Sequence, residues 1–402
     1  MTTTQSPPRG EPTLTRLRAA TTLFFALGGF LFAGWAVRIP ALKEQVGASP
    51  GPLGLALLCM TGSAVLTMAV TGGLCRRFGS RQVTIAAAAL LSVSVVLPAL
   101  THSAPVLGLS LIVFGIAYGG IDVAANSVAV DVIAALRRPV MPGFHAANSF
   151  GSLAGAALGG VLAPHLTPLP HMLLLLPAGL AATLIGGRML MALPLPAAPA
   201  PAREAGAGSL ARRVSVPVVV FGLIGLFAAY SQGALDNWMP LHLSEDIGAS
   251  QAVAAAGYAV IQLTMGFMRL VGSRLLERLG PTRVVVTGGL VACAGTLVAA
   301  QTHSVPIAFA ALVATGLGLA NIFPTAMAQA GAAGGPGGIA LAATLGYCGI
   351  LVAPPSIGLL ADAFGLPAGL SLIALAAALA ALVSWPARSL ATVRPAGRRG
   401  PT

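Results

Sequence analysis

Leu42–Ser49 reads LKEQVGAS, and Leu243–Ser250, 201 residues further on, reads LSEDIGAS. The same offset relates RRFGSRQV (Arg76–Val83) to ERLGPTRV (Glu277–Val284), and Gly115 to Gly316. A chain of 402 residues that repeats itself at half its length is read as two homologous halves. The repeated words are short and polar, and long apolar runs separate them. Only 8% of the residues are charged and 56% are hydrophobic. Soluble domains carry about 25% charged residues, so the expected solvent is a bilayer.

Twelve apolar runs are long enough to cross about 30 Å of hydrocarbon. The first six lie at about 19–40, 52–74, 82–100, 105–132, 140–165 and 171–193. The other six lie at about 216–241, 251–276, 282–300, 305–328, 338–362 and 367–387. Between them runs LPLPAAPAPAREAGAGSLARRVSVP, too poor in large apolar residues to cross. The expected organisation is an N-terminal six-helix half (1–193), a cytoplasmic linker (194–215) and a C-terminal six-helix half (216–402). The fold class is all-α membrane protein. The first run is too long for a signal-peptide core and lacks a small-residue cleavage site after it, so it reads as a retained helix.

The net charge of +12 suggests nucleic acid at first sight. Position argues otherwise. If twelve helices alternate, Arg9, Arg16, Arg18, Arg76, Arg77, Arg81, Arg137, Arg138, Arg188, Arg203, Arg212, Arg213, Arg274, Arg278, Arg283, Arg388, Arg394, Arg398 and Arg399 all fall on one side. The other side holds Arg38, Lys43 and five of the six histidines. By the positive-inside rule both termini and the linker are cytoplasmic. The expectation is a multi-pass protein of a bacterial plasma membrane, monomeric, in contact with lipid, protons and a small-molecule substrate, and with no nucleic acid.

Other chemistries lack their residues. The four cysteines form no CxxC pair or Cys/His cluster, so neither metal nor disulfide is expected. There is no GxxxxGK[ST] to bind ATP and no nucleophile elbow. The chain reads as no enzyme, with no cofactor.

Polar residues inside the apolar runs then carry the function. AYGGIDVAANSVAVDV (Ala117–Val132) places Asp122 and Asn126 on one face of the fourth span, at i and i+4. A charge at mid-bilayer costs roughly +2.5 to +3.5 kcal/mol even on the lenient insertion scale. That face must therefore meet protein or water. Asp122 either carries a proton in a central cavity or anchors a partner. Its offset partner is Phe323, so the acid belongs to one half only. Asp131, nine residues on, lies at the cytoplasmic rim, where a charge is cheap.

GGLCRRFGSR (Gly72–Arg81) resembles the loop signature of the major facilitator superfamily, and the resemblance covers essentially the whole chain. It departs at the acidic position, where Arg76 stands; the second half keeps an acid, Glu277. The resemblance implies a cytoplasmic latch built from Arg77, Arg81, Asp131, Glu277 and Arg278. It also implies alternating access around a site between two halves, in an architecture of parallel repeats. WAVRIPALKEQVG, GGIDVAANSVAVDV and FHAANSFGSLAGA are similar to a bacterial group related to the fucose permease branch. By that resemblance Asp122 and Asn126 match an acid and an amide of the fourth helix. His145 and Asn148 match sugar-contacting amides of the fifth, with imidazole replacing one amide. The permease's proton-linked acid in the first helix has no counterpart here, and Arg38 stands nearby.

The remaining candidates are substrate-binding Gln232, Asp236, Trp238, Asn321 and Tyr347; the eighth span contains Gln262 and Arg269. Trp238 either stacks on a sugar or sits in the interfacial aromatic belt. Asn321 beside Pro324 points to irregular backbone lining a cavity. Arg38 and Asp236, toward the outer ends of equivalent helices, are expected to pair as an external gate, unless each snorkels separately. Gly151, Gly155, Gly159 and Gly160 make small-xxx-small repeats suited to close helix packing. They also resemble the glycine frame of drug/proton antiporters, with Ala156 where those have proline. The leading expectation is proton-coupled transport of a small polar solute such as a sugar. The alternative is proton-driven efflux of amphipathic drugs or metabolites.

Overall fold

The computed structural model describes residues 11–136, 140–192 and 215–387. The described residues form helices α1 (Glu11–Ala36), α2 (Ile39–Gln45), α3 (Pro50–Phe78), α4 (Ser80–Ser94), α5 (Ala104–Leu136), α6 (Met141–Leu162) and α7 (Pro168–Met191). A second group follows: α8 (Val216–Glu245), α9 (Gln251–Leu279), α10 (Pro281–Gln301), α11 (Val305–Leu319), α12 (Ile322–Phe364) and α13 (Leu366–Ala387). Local chemistry sets many of the ends. Pro50, Pro168 and Pro281 open helices, where a missing N–H costs nothing. Gly79, Gly280 and Gly365 close them with φ of 91°, 79° and 86°.

Among the described residues, eleven helical stretches are long and apolar enough to cross a membrane. Helix α6 falls outside that set because it carries His145, Asn148, Ser149 and Ser152. It packs against α1 and α9 inside the bundle, which is consistent with twelve spans. The tenth expected span is built from α11 and the start of α12, with a break at Ala320 and Asn321. Helix α12 then runs through the expected loop to the eleventh span, bent at Gly335, where φ is 59°. Leu66, Leu109, Val161, Leu184, Phe267, Leu359 and Leu382 are exposed on the outside, as hydrocarbon-facing residues are.

The repeat is a structural one. Gly115 of α5 packs against the Met60 carbonyl and Ser63 of α3; Gly316 of α11 packs against the Ile261 carbonyl and Thr264 of α9. Each of these residues stands 201 positions from its counterpart. A Cβ at either glycine would overlap the neighbouring helix, so both halves need the same small residue at the same crossing.

Helix α6 approaches α1 through a glycine ladder. Gly151 meets the Ala26 carbonyl, Gly155 the Phe30 carbonyl and Gly159 the side chain of Val37. Gly160 faces α9 instead, against Ala252 and Ala255. The four glycines thus act in packing, three within the first group of helices and one between the groups.

Arg81 at the start of α4 donates to the Leu190 carbonyl near the end of α7 (2.7 Å), which brings two arginine-bearing ends together. Arg9, Arg137, Arg138, Arg203, Arg212, Arg213, Arg388, Arg394, Arg398 and Arg399 lie outside the described residues, as does the linker apart from Ser215. At the opposite, arginine-poor end the two groups of helices touch. Lys43 meets Glu245, Arg38 reaches Gln251, and Ser49 donates to Asp362. Gly54 lies against the Pro354 carbonyl and Gly358 against that of Pro50.

Candidate functional site

Phe24, Phe25, Gly28, Tyr118, Ile121, Asp122, Ala125 and Asn148 of α1, α5 and α6 line a small open hollow. Tyr118 and Asp122 stand one turn apart, so both point from α5 to this space. Asn126 Nδ2 donates to the Asp122 carbonyl (2.8 Å) and lies 3.5 Å from its Oδ1. The amide is thus partly spent on its own helix. Asn148 Nδ2 donates to the Phe25 carbonyl of α1 (3.2 Å). His145 sets its ring edge-on to Phe25, 5.4 Å between centroids. Its side chain is exposed near the start of α6.

A second polar set lies on α8 and α9. Gln262 Nε2 donates to Asp236 Oδ1 (3.0 Å) and to the Tyr258 hydroxyl (2.9 Å). Arg269 donates from Nη2 to Gln232 Oε1 (3.3 Å), from Nη1 to Ser149 Oγ (3.4 Å) and from Nε to the Ala320 carbonyl (3.4 Å). Tyr118 lies within electrostatic reach of both Asp122 and Asp236, and Tyr347 of α12 within reach of Asp122. The two acids thus face one region from opposite groups of helices.

Several expectations need correction. Arg38 and Asp236 do not pair. Arg38 donates to the Leu166 carbonyl (2.5 Å) and to Gln251 Oε1 (3.2 Å), while Asp236 is held by Gln262. The reason is depth: Asp236 precedes Glu245 by nine residues, about 13 Å along a helix. Trp238 is neither in a belt nor open to a ligand. It is wholly buried, with its ring against Gly358 of α12. Asn321 does sit at irregular backbone, but it is buried and donates to the Met268 carbonyl of α9 (3.1 Å) rather than lining the hollow.

The residues expected at the arginine-rich end divide. Arg81 lies within electrostatic reach of Asp131, whereas Arg77 is exposed and sits over the Phe78 ring at 5.1 Å. Glu277 and Arg278 are exposed. Sequence reasoning missed Phe24, Phe25, Tyr118 and Tyr258. Tyr118 had a signal, its i−4 relation to Asp122. The phenylalanines had none, because an aromatic in an apolar run looks like core.

Fold and site together define a multi-pass helical membrane protein built around an internal polar centre that both groups of helices contribute. The sequence profile of the Major Facilitator Superfamily matches residues 19–333 and, a second time, 221–401. An uncharacterized MFS-type transporter of Yersinia pestis is 32% identical over 367 residues, 89% of this chain and 92% of that protein. Among solved structures, a D-xylose-proton symporter superposes with a TM-score of 0.76 at 15% identity, over 92% of this chain and 97% of that one. A nucleoside transporter superposes with a TM-score of 0.68 at 13% identity, over 95% and 100%. The chain belongs to the Major Facilitator Superfamily.

Proposed function

We propose that this member of the superfamily is a proton-coupled secondary transporter of a small polar solute, a sugar or sugar-like compound, working by alternating access. The carrying observation is the hollow that joins Asp122, Asn148 and Tyr118, with Tyr118 also within electrostatic reach of Asp236 from the other group of helices. Asp122 is the coupling acid. It lies at mid-span, where a neutral carboxyl is far cheaper than a carboxylate. It can therefore take a proton on one side of the membrane and yield it on the other. Phe25 and Tyr118 offer aromatic faces, and Asn148 an amide, the mixture that hydroxyl-rich rings use. The similarity of its motifs to the fucose permease branch, and the sugar and nucleoside carried by the fold neighbours, support the same solute class.

The contacts at the arginine-poor end hold that face shut, and His145 opens toward the other. With the positive-inside rule, the arginine-rich end is cytoplasmic and the conformation is inward-facing. The protein sits in the plasma membrane of a bacterium with both termini inside.

A second reading, proton-driven efflux of amphipathic compounds, is favoured by one observation. Three aromatic rings, Phe24, Phe25 and Tyr118, line the hollow. Flux into proteoliposomes under an imposed pH gradient separates the two. Accumulation of a sugar that collapses with a protonophore supports import. Extrusion of a hydrophobic cation with no sugar movement supports efflux. Flux of either kind that ignores the pH gradient overturns proton coupling.

A further inference from the structure

Arg269 is half-buried in α9 between the two groups of helices, and its bonding is unlike that of the other interior or interfacial cations. Lys43 has a carboxylate at 2.6 Å. Arg38 has a short bond to the Leu166 carbonyl, and Arg81 one of 2.7 Å to that of Leu190. Arg269 meets three neutral oxygens, at 3.3, 3.4 and 3.4 Å. Charge-assisted bonds are about 2.7–2.9 Å long. Among the described residues no carboxylate lies within the 4.0 Å of an ion pair with Arg269. Asp236 is within electrostatic reach, but its Oδ1 accepts from Gln262. Guanidinium has five N–H donors, so two on the Nη atoms stay unspent.

A cation this deep is expensive and normally pairs with an acid. Here Asp236 acts only at longer range, and among the described residues no acid closes an ion pair with Arg269. His145 adds a second potential donor within electrostatic reach of Arg269. We propose that the acid comes with the solute: the transported compound carries a carboxylate, as a sugar acid does, and docks on the guanidinium of Arg269. The planar fork accepts both oxygens of a carboxylate at once. Docking displaces Ser149 and Gln232. Ser149 belongs to α6 and Arg269 to α9, so an arriving carboxylate releases a contact between the two groups of helices. Binding thereby loosens the face that must move. This inference rests on the transporter reading for its meaning but is tested at Arg269 itself.

Phenylglyoxal modification of Arg269 in the purified full-length protein, read by peptide mass spectrometry, is the direct measurement. The probes are D-galacturonate, D-gluconate and pyruvate, with D-galactose and D-xylose as neutral controls. At least one acid is expected to slow modification several-fold while the neutral sugars do not. Uptake of that acid by R269Q should fall about tenfold or more, the loss of one charged bonding partner. R269K, which keeps the charge and loses the fork, should lie between. Gel filtration of each variant reports folding, and the protection assay on the wild type does not depend on it. Failure of every acid to protect, or equal protection by a neutral sugar, overturns the inference. Acid protection without flux in proteoliposomes fails the transporter reading and leaves this one standing; flux of a neutral sugar without acid protection does the reverse.

Discussion

Lys43 Nζ donates to both carboxylate oxygens of Glu245, at 2.6 and 2.8 Å, although 202 residues separate them. The two sit in LKEQVGAS and LSEDIGAS, so the copies of the repeat meet each other at the arginine-poor end. Glu245 is the counterpart of Glu44, the neighbour of its own partner. An internal duplication has thus supplied both sides of a closure.

The Lys43 and Glu245 side chains are 13% and 39% exposed, and pairs of that kind contribute about 0.2–1 kcal/mol. The pair therefore biases the closed state rather than locking it. Lys43→Glu and Glu245→Lys should each shift the protein severalfold toward the state open at this end. The double swap should restore closure. Spin-label distances between α2 and the end of α8 check this, and purely additive single effects would exclude the contact.

Closure at depth rests on glycines. Gly151→Ala and Gly155→Ala place a Cβ onto the backbone of Ala26 and Phe30, which cannot yield without moving α1. Each should cost about 1–3 kcal/mol, seen as a lower Tm in detergent. Gly143→Ala, on the same helix with nothing within 4 Å, should leave Tm unchanged or raise it.

Trp238→Ala should act on stability. A ring buried to 0% exposure leaves a cavity worth about 3–5 kcal/mol. Trp238→Phe should cost much less, and the affinity of the folded fraction for its solute should hold in both. A selective loss of affinity with unchanged Tm would return Trp238 to the binding site.

Asp122→Asn keeps the volume and the bond from Asn126 to the Asp122 carbonyl, which belongs to the backbone. It removes the titrating proton. Accumulation driven by a pH gradient should vanish, and exchange of labelled for unlabelled solute should survive. Counterflow and accumulation measured in one preparation decide it; accumulation in the variant would reassign the coupling role, with Asp236 the next acid to test.

Low charge density, apolar runs and the 201-residue offset were enough to read helices, membrane and repeat, because solvent imposes them segment by segment. The glycine ladder was legible for the same reason: spacing along one helix is a local property. Asp122 and Asn148 were legible too, since a polar group in a long apolar run is costly wherever it lands. Asp236 was read as polar and interior but given the wrong partner. One dimension lists Arg38 and Asp236 as neighbours of the outer end without saying that about two and a half helical turns separate Asp236 from Glu245.

Partnership across the halves is where one-dimensional reading stops. Which residue meets Lys43, whether Trp238 faces lipid, ligand or Gly358, and what Arg269 lacks all depend on how two bundles dock. Docking is set by the fit of many side chains at once, and no single spacing encodes it. Periodicity and polarity therefore specified which residues must leave the lipid, and the packing of α6 on α9 and α3 on α12 chose whom they meet there.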